Sequence, residues 1–208
     1  MNKEEIISAL ENLKKEKERK FDQSVDLIIN LREFDLKKNT INLFVTLPNP
    51  LKNKKICAFL ENPSSLFDHV ITKAEFPKWK TKSEIKKLIK QYDFFAAQAS
   101  VMPAIATTFG RYLGPAGKMP SPQLGILAQA TESAIKELKE KVQNMVRVRA
   151  KEPSIKLSIG KQSMKNEEIA ENILKIYDNL INVLPNKKEN IKSVLIKLTM
   201  SKSVKLAI

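Results

Sequence analysis

Residues 110–122 read GRYLGPAGKMPSP and hold three of the five glycines and three of the ten prolines in a chain of 208 residues. Glycine serves where φ must be positive or where another backbone comes close, and proline fixes φ and stiffens the path. Gly110, Gly114, Pro115, Gly117, Lys118 and Met119 therefore read as a shaped signature loop rather than a slack one. A phosphate cradle is the obvious chemical reading. That pattern needs a glycine separated by four residues from the Gly-Lys pair and a hydroxyl after it, and Tyr112 and Met119 occupy those places. Pro120 also blocks an immediate helix whose N-terminus could face a phosphate. A structural turn is the alternative reading of the same residues.

The punctuation recurs upstream, where Pro48-Asn49-Pro50 follows a strand-like run, whereas Pro120-Ser121-Pro122 precedes a helix-like one. The interval between them alternates apolar strands and amphipathic helices of its own. Residues 52–122 thus read as an inserted domain, and residues 1–51 with 123–208 as a discontinuous one. Pro48, Pro50, Pro120 and Pro122 would stiffen two chain crossings and mark an interdomain hinge, since a few connector residues absorb a domain rotation. Two ordinary turns inside one domain are the alternative.

The first segment opens on an amphipathic stretch with Ile6, Ile7, Leu10 and Leu13, followed by period-two strands at Val25–Leu31 and Ile41–Leu47. After the insertion, Ile126, Leu127, Ala130, Ala134, Ile135 and Leu138 recur at helical spacing. Strands follow at 145–151 and 155–159, with Glu152-Pro153 at the turn. Asn166 suits the cap of a further helix with Ile169, Ile173, Ile176, Tyr177 and Leu180 on its core face, and Val194–Leu198 forms a last strand. The expected class is α+β, an antiparallel sheet covered by helices. Inside the insertion, Ile56–Leu60, Val70-Ile71 and Phe94–Ala97 are short buried strands, and Ser83 suits the cap of a helix carrying Ile85, Leu88 and Ile89. That alternation predicts a Rossmann-like three-layer α/β domain. Glu61-Asn62-Pro63 stands where a dinucleotide fingerprint would need glycines, which argues against nucleotide binding.

Catalytic chemistry finds little support. Cys57 is the only cysteine and sits in the apolar run Ile56–Leu60, which suits a buried, inert thiol. His69 is the only histidine, so no zinc cluster or Ser/His/Asp set can be assembled, and neither a metal site nor a catalytic residue is expected. No apolar run approaches the roughly 20 residues of a membrane span, and the charged N-terminus lacks a signal-peptide core. A cytoplasmic location follows as the expectation.

Charge points to a polyanion. The formal net charge is +14, from 37 Lys and Arg against 23 Asp and Glu. Residues 52–122 carry 12 basic and 5 acidic side chains and the rest 25 and 18, so each part nets +7. Strand alternation places Arg147, Arg149 and Lys151 on one face, opposite Val146 and Val148, with Lys156 on the strand expected to pair with them. Such a cluster suits phosphate contact or a merely solvated sheet face.

With Met102-Pro103 and Gly110-Arg111 included, the signature stretch resembles that of the ribosomal protein L one family, which binds RNA in the large subunit's mobile stalk. Tyr92-Asp93-Phe94-Phe95-Ala96, Leu47-Pro48-Asn49-Pro50 and Thr199-Met200 fall in that family's order, so the resemblance covers nearly the whole chain. Lys118 before Met119-Pro120 resembles the archaeal and eukaryotic branch. The resemblance implies a structural constituent of the large ribosomal subunit and no enzyme. Its partners would be large-subunit rRNA, tRNA at the exit site and the protein's own mRNA, whose translation it would repress. It would be a monomer when free and use no cofactor.

The family's rRNA-binding surface carries over to Phe21, Thr199 and Met200, with Lys20, Ser24, Lys161, Ser163, Ser193 and Ser201 beside them, and the strand-face cations Arg149 and Lys156 are candidates for the same RNA. An aromatic ring and a thioether can pack on sugar or base faces, and a hydroxyl can bond a 2′-OH. Taken without the resemblance, Phe21 also suits a hydrophobic staple and Met200 a sheet-edge core position. The family has glycine where Ser201 stands, so the turn here needs a strained positive φ or takes another shape. An assembly factor of the same fold would usually be longer or tailed, whereas this sequence reaches Ile208 without a low-complexity extension. A nucleotide-dependent enzyme would need a phosphate loop and a cleft acid or base.

Overall fold

A computed structural model describes residues 2–15, 19–35, 41–51, 53–79, 81–122, 124–129, 131–150 and 152–206. In chain order the elements are α1 (Lys3–Lys14), β1 (Ser24–Leu31), β2 (Asn42–Thr46), β3 (Ile56–Leu60), β4 (His69–Thr72), α2 (Lys82–Gln91), β5 (Phe94–Gln98), α3 (Met102–Thr108) and α4 (Gly110–Ala116). They continue with β6 (Ile126–Leu127), α5 (Glu132–Asn144), β7 (Met145–Arg149), β8 (Ser154–Lys161), α6 (Asn166–Val183), β9 (Ile191–Leu198) and β10 (Val204–Leu206). The chain divides into two compact units, Met1–Leu51 with Asn144–Ile208, and Lys52–Gln143.

The first unit is built on β1, whose odd positions Val25, Leu27, Ile29 and Leu31 are buried while the even ones are half-exposed. That alternation is what a sheet covered on one face requires. The sheet order is β10-β9-β1-β8, and every pairing is antiparallel. Ile6, Leu10 and Leu13 of α1 and Ile169, Ile173, Ile176 and Leu180 of α6 join the buried strand positions in one apolar cluster. Within it Asn172 is fully buried. Its amide donates to Asn49 O (3.0 Å) and Ile159 O (3.1 Å), and its Oδ1 accepts from Asn49 N–H (3.2 Å). The Pro48-Asn49-Pro50 stretch is thereby tied to α6.

The second unit carries four parallel strands in the order β4-β3-β5-β6. All five residues of β3 are buried, which requires cover on both faces. On one face Cys57 and Phe59 join Phe95, Phe76, Ile105, Phe109 and Leu113, with Phe59 stacked 5.9 Å from Phe95 and Phe109 tilted at 5.0 Å. Burial pushes the Cys57 thiol up to about 12, so it stays protonated and unreactive.

Several sequence expectations change. The return boundary lies at 143/144, not at 122/123, and Pro120 and Pro122 fall inside the second unit. The reason is that Ile126-Leu127 is a strand paired with Ala97-Gln98 rather than the start of a helix, led in by Gly125 at φ 110°. α5 then packs Ile135, Leu138 and Val142 inward, and Lys54 Nζ and N–H donate to Val142 O (2.6 Å) and Gln143 Oε1 (2.7 Å). Two apolar residues fit either period, so spacing alone could not decide.

The signature segment is also mostly helix. Gly110 and Gly114 lie in α4 with no positive φ, and only Gly117 is left-handed, at φ 70°. Gly117 N–H donates to Gly114 O (2.9 Å) and Lys118 N–H to Leu113 O (3.0 Å), the paired bonds of a Schellman cap. Lys118 Nζ reaches Ile89 O (2.7 Å) and Tyr92 O (2.6 Å), a cation on the unpaired carbonyls ending α2. At the helix starts, Thr81 rather than Ser83 precedes α2, and Asn166 is the first residue of α6, not its cap.

Candidate nucleic-acid interface

Antiparallel pairing on both sides of β1 has a geometric consequence: the start of β1 lies beside the ends of β8 and β9. Ser24 pairs with Lys161, and Val25 with Leu198. Three loops therefore meet there, residues 19–23, 162–165 and 199–203, and they bring together Lys20, Phe21, Ser24, Lys161, Ser163, Thr199, Met200 and Ser201. Phe21 is 52% exposed and Met200 61%, which among the described residues leaves them, with Val183, as the large apolar side chains in water.

The backbone beneath them is fastened. Gln23 is buried; its Oε1 accepts from Met200 N–H (3.1 Å), its amide donates to Gln162 Oε1 (3.3 Å), and its carbonyl accepts from Gln162 N–H (2.8 Å). Thr199 N–H donates to Ser24 O (3.1 Å), and Thr199 Oγ1 accepts from Ser24 N–H (3.1 Å) and donates to Ser24 O (3.4 Å), so the hydroxyl is committed to the sheet as both acceptor and donor. Ser201 needs no left-handed φ: among the described non-glycine residues only Glu33 and Lys187 have one. Its hydroxyl instead closes the turn, accepting from Leu198 N–H (2.8 Å) and donating to Lys202 O (2.9 Å).

Asp22 organises the third loop. Ser163 Oγ donates to Asp22 Oδ2 (2.9 Å), Ser163 N–H to Oδ1 (3.1 Å), and Lys161 Nζ lies 3.5 Å from Oδ2. Burial alone would raise this carboxyl, but the Ser163 bonds and the Lys161 charge together hold it below the ordinary carboxylate range. Lys14 Nζ donates to Met164 O (2.7 Å), and burial lowers its ammonium against the opposing pull of Asp22. Asp22, Gln23 and Gln162 carry no motif. A run of polar residues just before a strand, Asp22-Gln23-Ser24, was the only available signal.

The remaining sequence candidates lie elsewhere. Ser193 pairs with Asn30 and accepts from its amide (3.0 Å), six residues and roughly 20 Å of strand from Thr199. Lys156 pairs with Ile28 at mid-strand and sits 3.4 Å from Glu152. Arg149 belongs to a separate ribbon, β2 with β7, so it does not share a paired strand with Lys156. On that ribbon Arg147 donates to Asn42 Oδ1 (2.8 Å) and lies 5.6 Å from the Phe44 ring, while burial and then the Arg149 charge weigh against its proton. Lys151 lies outside the described residues.

The described residues hold no group of three or more acids, histidines or cysteines able to bind a metal, and no helix long and apolar enough to cross a membrane. The fold and the surface thus define a two-unit α/β protein with an ordered, basic, aromatic-bearing strand end. The sequence model of the Ribosomal protein L1p/L10e family matches residues 13–202, and the chain belongs to that family. It is similar to the large ribosomal subunit protein uL1 of Pyrobaculum neutrophilum, 38% identical with 99% of this chain and 94% of the relative covered. It is likewise similar to the uL1 proteins of Pyrococcus abyssi, 36% identical over 99% and 96%, and of Nanoarchaeum equitans, 35% identical over 91% and 93%. Membership makes it a ribosomal protein and not an enzyme.

Proposed function

We propose that this chain is a structural protein of the large ribosomal subunit whose first unit binds folded large-subunit rRNA through the end of β1, β8 and β9. The observation that carries this reading is the exposure of Phe21 and Met200 on a backbone held rigid by Gln23, Asp22 and the β1 register. Ordered apolar side chains in water, flanked by lysines, suit exposed sugar and base faces of irregular RNA. Lys20 and Lys161 supply phosphate contacts, and the +14 net charge steers the encounter.

The inserted unit, a small Rossmann-like layer, would form the moving part of the stalk beside departing tRNA, hinged at the crossings after Pro50 and at Gln143-Asn144. A free monomer in the cytoplasm would also bind a mimic of the rRNA site on its own mRNA and repress translation. These roles rest on family resemblance.

The test is binding to a stem-loop from the stalk base against a random duplex of equal length, at two salt concentrations. We expect a preference that survives moderate salt and falls about tenfold in Met200→Ala, a loss of the size of one stacking contact. Equal binding of both RNAs, collapsing together with salt, would overturn the proposal, because charge alone would then account for it.

A further inference from the structure

The caps explain Gly117 and Lys118, but they leave Arg111 and Tyr112 of the same helix without a role. Both line a groove of about 600 Å³ in the second unit, between α3, α4 and the 3-10 turn Lys73–Lys78. Phe76 forms its floor, Trp79 and Tyr112 are half-buried in its walls, and Thr107, Lys73 and Arg111 stand on its rim. Among the described residues the side chains of Lys73 and Arg111 make no hydrogen bond or ion pair, and no acidic side chain lines the groove. Its volume lies in the range of small-molecule sites.

We propose that this groove binds one unstacked nucleotide of single-stranded or loop RNA, its base against Trp79 and Tyr112 and its phosphate between Lys73 and Arg111. Aromatic faces beside cations form a stacking platform with an electrostatic clamp, the arrangement that holds single-stranded nucleic acid without reading its sequence. A duplex keeps its bases stacked and offers the groove nothing but phosphates. An acidic peptide would satisfy the cations and leave both rings in water. The surrounding unit favours the nucleic acid, with 15 basic and 8 acidic side chains over residues 52–143. This inference rests on the reading of the chain as an RNA-binding protein, but not on the strand-end surface.

Trp79 is the chain's only tryptophan, so fluorescence excited selectively in the indole band reports on the groove's wall, and the Arg111→Ala variant ties the signal to the groove. The full chain is titrated with hexauridylate, with a blunt RNA duplex and with a hexaglutamate peptide. We expect saturable quenching by hexauridylate only, with affinity about tenfold lower in Arg111→Ala and in Tyr112→Leu. Quenching left intact by Arg111→Ala, or produced equally by the duplex or the peptide, would overturn the proposal. Arg111 is exposed, so its variant decides the matter even where Tyr112→Leu loses stability. Stem-loop binding measured on the same variants should be unchanged. In the parent chain, no stem-loop preference alongside saturable quenching strikes the stalk reading, and no quenching alongside a stem-loop preference strikes the groove.

Discussion

At the strand end of the first unit, Phe21 and Met200 remain in water because the backbone below them is fastened by unremarked neighbours, Asp22 and Gln23. In the second unit the glycine- and proline-rich segment does the opposite. Gly117 turns the chain through a left-handed residue, and Lys118 spends its charge on the carbonyls of α2. The glycine and lysine of a conspicuous motif therefore serve the backbone here, while the strand-end surface suited to rRNA is made of residues with no pattern. Unusual backbone needs unusual residues, and these show in a sequence. A contact surface needs only common side chains at a shared place, and sharing is decided by strand register.

Lys118→Ala tests this contrast with the largest expected effect. It leaves Ile89 O and Tyr92 O without a charged donor at a half-buried helix end, and bonds to charged groups contribute roughly 1.5–3 kcal/mol each. A loss of about 3 kcal/mol in urea unfolding is expected, with stem-loop affinity unchanged. Unchanged stability with a tenfold weaker stem-loop complex would reverse the comparison and make Lys118 a contact. Gly117→Ala sharpens it at smaller scale. The φ of 70° disfavours a Cβ by roughly 1–2 kcal/mol, again without effect on RNA.

Much of the fold was legible because burial on one face writes itself as alternation. Val25, Leu27, Ile29 and Leu31 declared β1, and Ile169, Ile173, Ile176 and Leu180 declared α6. Short elements escaped. Ile126-Leu127 joins a sheet through partners 29 residues away in sequence, and Val204–Leu206 adds an edge strand too brief to carry a period. At the strand end, Phe21 and Thr199-Met200 were named through family resemblance. Asp22 and Gln23 stayed hidden because nothing local says that their partners are Ser163 and Met200. The register likewise separated Arg149 and Ser193 from that end, which residue type could not foretell.

The smallest effect concerns Asp22, whose carboxyl would be raised by burial but is held below its ordinary range by Ser163 and then Lys161. A carboxyl depressed in the folded state stabilises the protein above its unfolded value near pH 4, and that contribution fades as pH falls through the folded value. Asp22→Asn should therefore be less stable than the parent at pH 7 by less than about 1 kcal/mol, because solvent screens so exposed a pair. The difference should begin to shrink as pH falls below about 4, the unfolded value, and go on shrinking as pH falls through the lowered folded value, read from paired urea titrations across the acid range. A difference that stays constant with pH would mean that the Asp22 charge does not order the loop. Ser163 would then be held by shape alone, and the fastening of the strand end would rest on Gln23, which carries no charge for pH to remove.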